Sequence, residues 1–163
     1  MALGDNTLAA ARGSSSRGRR PYLVQNTVDF ATALVDKGSA LAANDVIPCI
    51  SVPSGTLILN AGIQVDTATS GGTTTLDLGT GVDVDCFVDG FDADDGTAAG
   101  TYAQNAAAYQ PLLAVAADTI DIKLATQSGT ALTTGKVRVF AILMDVNDTG
   151  VETPDEVDRD YLA

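Results

Sequence analysis

Residues Thr56 to Asp66 alternate with a period of two: Leu57, Leu59, Ala61, Ile63 and Val65 point one way, while Thr56, Asn60, Gln64 and Asp66 point the other. Successive side chains on a strand face opposite sides, so this pattern predicts a strand with one buried and one solvated face. The same period recurs at Thr74 to Leu78 and at Thr119 to Leu124, where Asp77, Asp121 and Lys123 fall on the solvent side. Turn signals separate such segments: Pro53-Ser54-Gly55, Ser70-Gly71-Gly72, Gly79-Thr80-Gly81, Gln127-Ser128-Gly129 and Thr134-Gly135. They are too close together for helical crossovers, which predicts hairpins and an all-β, antiparallel β-sandwich.

Further strands are expected on either side. Lys136 to Asp145 starts with Val137 and Val139 inward and Lys136 and Arg138 outward, then turns apolar on both faces through Phe140-Ala141-Ile142-Leu143-Met144. Such a strand is covered on both sides, the second cover being the other sheet, a loop or another subunit. Val46 to Val52 reads as a strand that Pro48, lacking a donor, confines to an edge or a bulge. Tyr22 to Val35 is expected to open the sandwich as a strand with Val28 and Phe30 inward. Asp83 to Phe91 suits a helical turn as well as a strand, because Phe87 and Phe91 are four apart. Ala98 to Ala108 reads as a long surface loop, with a helical turn around Gln104 to Tyr109. No internal repeat is evident.

The chain has 163 residues, a mass of 16.6 kDa and no histidine. Without imidazole there is no Ser-His or Cys-His nucleophile pair and no HExxH zinc motif. Glu152 and Glu156 lie in a polar tail where nothing would raise a carboxyl pKa, so an enzyme is not expected. Cys49 and Cys86 are 37 residues apart with no CxxC spacing, and read as two small buried thiols. No cofactor is implied. Asp83, Asp85, Asp89, Asp92, Asp94 and Asp95 form the one acidic cluster able to supply cation ligands, but its spacing departs from a calcium loop; these acids read as turn caps on a solvated segment, and no metal is expected. Tyr102 and Tyr109 share a loop that is the sole candidate platform for a stacked sugar.

Charge divides the chain. Residues 1–20 carry Arg12, Arg17, Arg19 and Arg20 against Asp5, whereas residues 21–163 carry 5 basic and 20 acidic side chains. A Gly/Ser/Arg segment such as RGSSSRGRRP buries too little apolar surface to offset its chain entropy. The expected organisation is therefore a basic, extended N-terminal arm at 1–20, a β-sandwich at 21–146, and an acidic tail at 147–163 with six acids and one arginine. Asp5 or Asn6 is placed to cap a short helical turn over Thr7 to Arg12. A net charge of −12 repels phosphate backbones, so nucleic acid is not the expected partner. No run approaches the roughly 18 apolar residues of a membrane span, and no membrane partner is expected. Arg12, Arg17, Arg19 and Arg20 are the expected partner-binding residues, gripping an acidic surface on a neighbouring subunit.

Three segments carry a resemblance: Asn44 to Val65 (NDVIPCISVPSGTLILNAGIQV), Thr73 to Asp92 (TTTLDLGTGVDVDCFVDGFD) and Ala117 to Leu143 (ADTIDIKLATQSGTALTTGKVRVFAIL). Together, about 70 residues resemble capsid decoration, or cement, proteins of tailed bacteriophages, in particular those of phages infecting cyanobacteria and other aquatic bacteria. The resemblance implies a jelly-roll-like sandwich, trimeric, that sits over capsomer junctions and braces the major capsid protein, with no catalytic residues. It also implies a location in the virion capsid, assembled in the host cytoplasm. A neck, tail or fibre component of a virion and a carbohydrate-binding β-sandwich module are the alternatives.

Overall fold

The computed structural model describes residues 8–9, 21–105 and 111–146. Among them are ten strands, β1 Leu8–Ala9, β2 Tyr22–Asp29, β3 Val46–Val52, β4 Thr56–Thr67, β5 Thr73–Thr80, β6 Val88–Asp92, β7 Tyr102–Gln104, β8 Leu112–Ala114, β9 Asp118–Ser128 and β10 Lys136–Asp145. One helix, α1 Phe30–Lys37, follows β2. Sheet I has the order β1-β3-β9-β5-β6; sheet II has β2-β10-β4-β7, with β8 also paired to β4. Every pairing is antiparallel except β1 on β3. The chain is an all-β sandwich, as its alternation predicts.

The core lies between the sheets. Ile47, Ile50, Leu76, Leu78, Ile120, Ile122 and Leu124 come from sheet I, and Val28, Ile63, Val65, Val137, Val139 and Leu143 from sheet II. Phe30, Phe87, Phe91, Leu41 and Leu132 close its rim. A half-buried Asn26 donates from Nδ2 to the Cys49 carbonyl at 2.8 Å, which joins β2 to β3 across the two sheets.

Two bulges revise the inward and outward assignments. Opposite β10, the partner of Ile142 is Asn60 but that of Leu143 is Ile58, so Leu59 is an extra residue. A one-residue insertion flips the faces beyond it. Ala61, Ile63 and Val65 are inward as predicted, whereas Thr56 and Ile58, not Leu57 and Leu59, are the buried residues before the bulge. In β3 the pairing skips Cys49, between Pro48 opposite Asp121 and Ile50 opposite Ile120. Pro48, with no N–H for a ladder, thus sits beside a bulge.

The segment predicted as one strand from Tyr22 to Val35 divides at Asp29. The Asp29 carboxylate accepts from Ala31 N at 3.0 Å as an N-cap, and Gly38 closes α1 at φ 70°, donating to Leu34 O and Val35 O. Val28 and Phe30 are buried nonetheless, one from the strand and one from the helix. Asp83 to Phe91 resolves as a turn followed by β6, with Phe87 and Phe91 both inward. Within the Ala98 to Ala108 segment, Tyr102–Gln104 adds to β4 as a strand. Leu8–Ala9 is extended, not helical, while the remainder of the proposed Thr7 to Arg12 turn and much of that at Gln104 to Tyr109 lie outside the described residues.

Candidate interaction surface

Several elements converge on one end of the sandwich. Val52 ends β3 opposite Asp118, the first residue of β9; Thr56 starts β4 opposite Asp145, the last residue of β10. Thr80 ends β5 opposite Ile120, and Tyr22 starts β2 opposite Leu143. Because β1 runs parallel to β3 with Ala9 opposite Ser51, β1 points toward this end as well. Arg12, Arg17, Arg19 and Arg20 lie outside the described residues, and so does the acidic tail. The points at which the arginine segment leaves β1 and rejoins β2 are both at this end.

A cleft of about 540 Å³ opens there. Val52, Ile58, Val82, Leu112, Leu113 and Val115 supply its apolar lining, with Thr80, Gly81 and Asp118 among its polar contributors. Val82 is 93% exposed and Val115 83%. Desolvating such side chains stabilises any contact that covers them. Their loops are fixed: Gly55 N donates to Ala114 O at 2.7 Å, Ser54 Oγ to Val115 O at 3.0 Å, and the Thr80 hydroxyl accepts from Val82 N and Asp83 N. Carboxylates stand around the opening. Asp118 lies against Gly81, while Asp83 and Asp85 share a hydrogen bond that pushes the Asp83 carboxyl above its ordinary pKa.

The two outer faces differ. On sheet II, Leu23 is paired with Ile142, and Leu57 with both Met144 and Leu113, all on the outward side. Leu23 and Tyr102 are each 63% exposed, while Phe140, Ile142 and Met144 are half-buried. Phe140 obtains its cover from a glycine: a Cβ on Gly62 would lie 2.4 Å from Phe140 Cζ, so the ring occupies the space a side chain would fill. The apolar second face predicted for β10 is therefore present, with no described element of the chain laid across it as a further layer.

Sheet I presents polar groups instead. Asp77, expected in solvent, is buried, because its carboxylate accepts from the Gly90 amide at the β5–β6 bulge at 2.9 Å and lies 3.9 Å from Lys123 Nζ. Asp121 is also withdrawn from water, between Pro48 and Gly79 on its two neighbouring strands. Its Oδ1 has no hydrogen-bond partner among the described residues, and burial raises its pKa against the lowering effect of a Thr119 hydrogen bond. Over Gly79 the chain doubles back so closely that a Cβ would sit 2.2 Å from Asp83 O.

The acidic cluster is split by this geometry. Asp83 bonds back to Thr80 at one end of β5, whereas Asp92 pairs with Thr75 near the other, roughly 15–20 Å away at the strand rise. Asp92 and Asp94 accept from backbone amides of their own turn, at 3.1 Å from Asp94 N and 2.9 Å from Gly96 N. Among the described residues, no three His, Cys, Asp or Glu side chains converge as a metal site. Burial pushes the Cys49 thiol up to about 12 and the Cys86 thiol to about 11, so neither is a ready nucleophile. Tyr102 stands on β7, not on a loop, and Tyr109 lies outside the described residues.

All four described cations are occupied by aspartates. Lys37 pairs with Asp45, Lys123 with Asp77, Lys136 with Asp29 at 3.1 Å and Arg138 with Asp66 at 2.7 Å. The described body leaves an excess of carboxylates and offers no unpaired cation for a phosphate backbone.

No protein-family model matches the sequence, and no curated protein does. In fold, the chain is similar to a chain of the cyanophage Pam1 capsid asymmetric unit, at 20% identity and a TM-score of 0.60, over 82% of this chain and 90% of that one. It is likewise similar to a chain of the capsid of Ralstonia phage GP4, at 15% identity and a TM-score of 0.59, over 88% and 93%.

Proposed function

We propose that this chain is a structural protein of a phage capsid that decorates the shell and stabilises it by bridging adjacent major capsid subunits. The observation that carries this reading is the shared fold: nearly the whole length of two phage capsid chains superposes on this one. A match over nearly the whole of both chains is one of the entire domain and not of a local motif. The apolar outer face of sheet II is the part of the body that meets a neighbour, because Leu23, Leu57, Ile142 and Met144 gain burial there without rearrangement of the core. Arg12, Arg17, Arg19 and Arg20 dock on an acidic surface of a neighbouring subunit. As a homotrimer the protein repeats each weak contact by symmetry, so that avidity exceeds the affinity of any one.

The protein acts through contact, without catalysis or a cofactor, in a virion assembled in the host cytoplasm. The direct test is binding of the full-length chain to shells of the major capsid protein of the same phage. Saturable binding at a fixed ratio per capsomer, with shells that then resist heat better, is expected. Absence of binding to those shells, with the protein recovered in purified tails, would replace this reading by the tail or neck one.

A further inference from the structure

The sandwich has an apolar cleft at one end that the described part of the chain leaves open. Val82 and Val115 stand on its rim almost fully exposed, at 93% and 83%, although their loops are fixed by backbone hydrogen bonds. Its surroundings are negative: Asp118 lines it, and Asp83 and Asp85 are on the turn that carries Val82. A partner that fits must bring aliphatic or aromatic carbon together with positive charge. Guanidinium groups meet both needs, since their stems cover apolar surface while the planar head pairs with carboxylates.

One such segment is in the sequence, at Arg12 to Leu23 (RGSSSRGRRPYL), and its downstream end is fixed at Tyr22 at the cleft end of the molecule. The ten residues from Arg12 to Pro21, which precede β2, reach about 35 Å from Tyr22 when extended, well beyond the roughly 14 Å radius of gyration of a domain this size. The segment is thus long enough to leave its own body and reach an adjacent one. We propose that the cleft is the docking site for the arginine segment of a second copy of this chain, Arg17, Arg19 and Arg20 meeting Asp83, Asp85 and Asp118 around the apolar floor. This deepens the arm contact proposed above by naming the surface that the arginines meet. Each copy then both gives and receives a segment, a head-to-tail relation that forms a ring where the rotation between copies closes. The close carboxylates of Asp83 and Asp85, which repel when both are ionised, are relieved by an incoming cation.

The test uses two full-length variants on a Cys86→Ser background, Ser15→Cys and Val115→Cys, mixed at high concentration without capsids and oxidised. The expected product is a disulfide joining Ser15→Cys of one chain to Val115→Cys of another, identified by mass spectrometry. Its yield should exceed severalfold that of a parallel mixture in which Ser128→Cys, at the far end of β9 opposite Thr73, replaces Val115→Cys. It should also fall severalfold with added salt or with Asp83→Asn and Asp85→Asn together. A chain carrying both cysteines that links only to itself, with no cross-chain product in the mixture, would show that the cleft takes its own segment and overturn the proposal. Equal yields at Val115→Cys and Ser128→Cys, or no link at all, would overturn it too. The capsid reading stands or falls separately, because no shell is present here.

Discussion

On the outer face of sheet I, polar side chains are tied into the fold: Asp77 closes the Gly90 bulge and Asp121 is walled between Pro48 and Gly79. On the outer face of sheet II, Leu23, Leu57, Ile142 and Met144 lie opposite one another with no further layer of the described chain above them. Both faces depart from simple polar alternation, for opposite reasons. Sheet I uses carboxylates to satisfy backbone irregularities internally, whereas sheet II has apolar surface that no described element covers, the surface the proposed contact would bury. Substitutions on the first should therefore change stability, and those on the second should change assembly.

The largest effect is expected at Gly79. Alanine there drives its Cβ into the backbone of Asp83 and Val84, which have no rotamer by which to escape, and should destabilise the fold by about 3 kcal/mol. Gly62→Ala on sheet II should be milder, because Phe140 can swing away, although Ala103 O at 2.7 Å resists. Melting temperatures of the two variants, side by side, check the order; equal losses would break the contrast. Next comes Asp77→Ala, which leaves the Gly90 amide and Lys123 without their partner and should cost about 2 kcal/mol in urea denaturation. A loss below about 0.5 kcal/mol would mean that the carboxylate is ornamental to the bulge.

Asp121 should act in the opposite direction. Burial holds its folded pKa above 3.8, so between 3.8 and that higher value the native state binds more proton than the unfolded chain, and stability falls as pH rises through this window. Asp121→Asn should remove that slope and stabilise the protein at neutral pH, by less than about 1 kcal/mol because the site is only half-buried. Asp29 gives the contrary sign: the Lys136 hydrogen bond holds its pKa below 3.8, so its contribution is present above 3.8 and is lost as pH falls below it. Melting curves from pH 3 to 7 for wild type and Asp121→Asn separate the two. The smallest stability effect belongs to Leu23→Glu, within about 0.5 kcal/mol at an exposed position, yet this variant should lose most of its capsid binding. Full binding by Leu23→Glu would remove the sheet II face from the interface.

The sequence carries the long strands β4, β9 and β10 plainly, because Thr56 to Asp66, Thr119 to Leu124 and Lys136 to Asp145 alternate over long enough spans to reveal a buried face. It hides the bulges. At Leu59 and Cys49 the alternation continues in the letters while the backbone inserts a residue, and the assignment of Leu57 as inward fails for that reason alone. Helix α1 was signalled by Asp29 and Gly38, an N-cap and a left-handed C-terminal glycine that flank its eight residues, but Phe30, Leu34 and Val35 also suit a strand and overshadow those caps. Tyr102–Gln104 was unreadable because three residues in an alanine-rich stretch have no period to display. The cleft is a different case. Val52, Val82 and Val115 are more than 60 positions apart from first to last, and only the folded sheets bring them to one end. The body's negative surplus, in contrast, was fully visible in composition.

A reconstruction of the virion that resolves this chain tests the account most directly. Density for the sandwich on the capsid shell is expected, with the outer face of sheet II against the major capsid protein and Leu23, Ile142 and Met144 buried in that contact. Density confined to the tail or neck, or a shell-bound sandwich whose sheet II face is open to solvent, would contradict it.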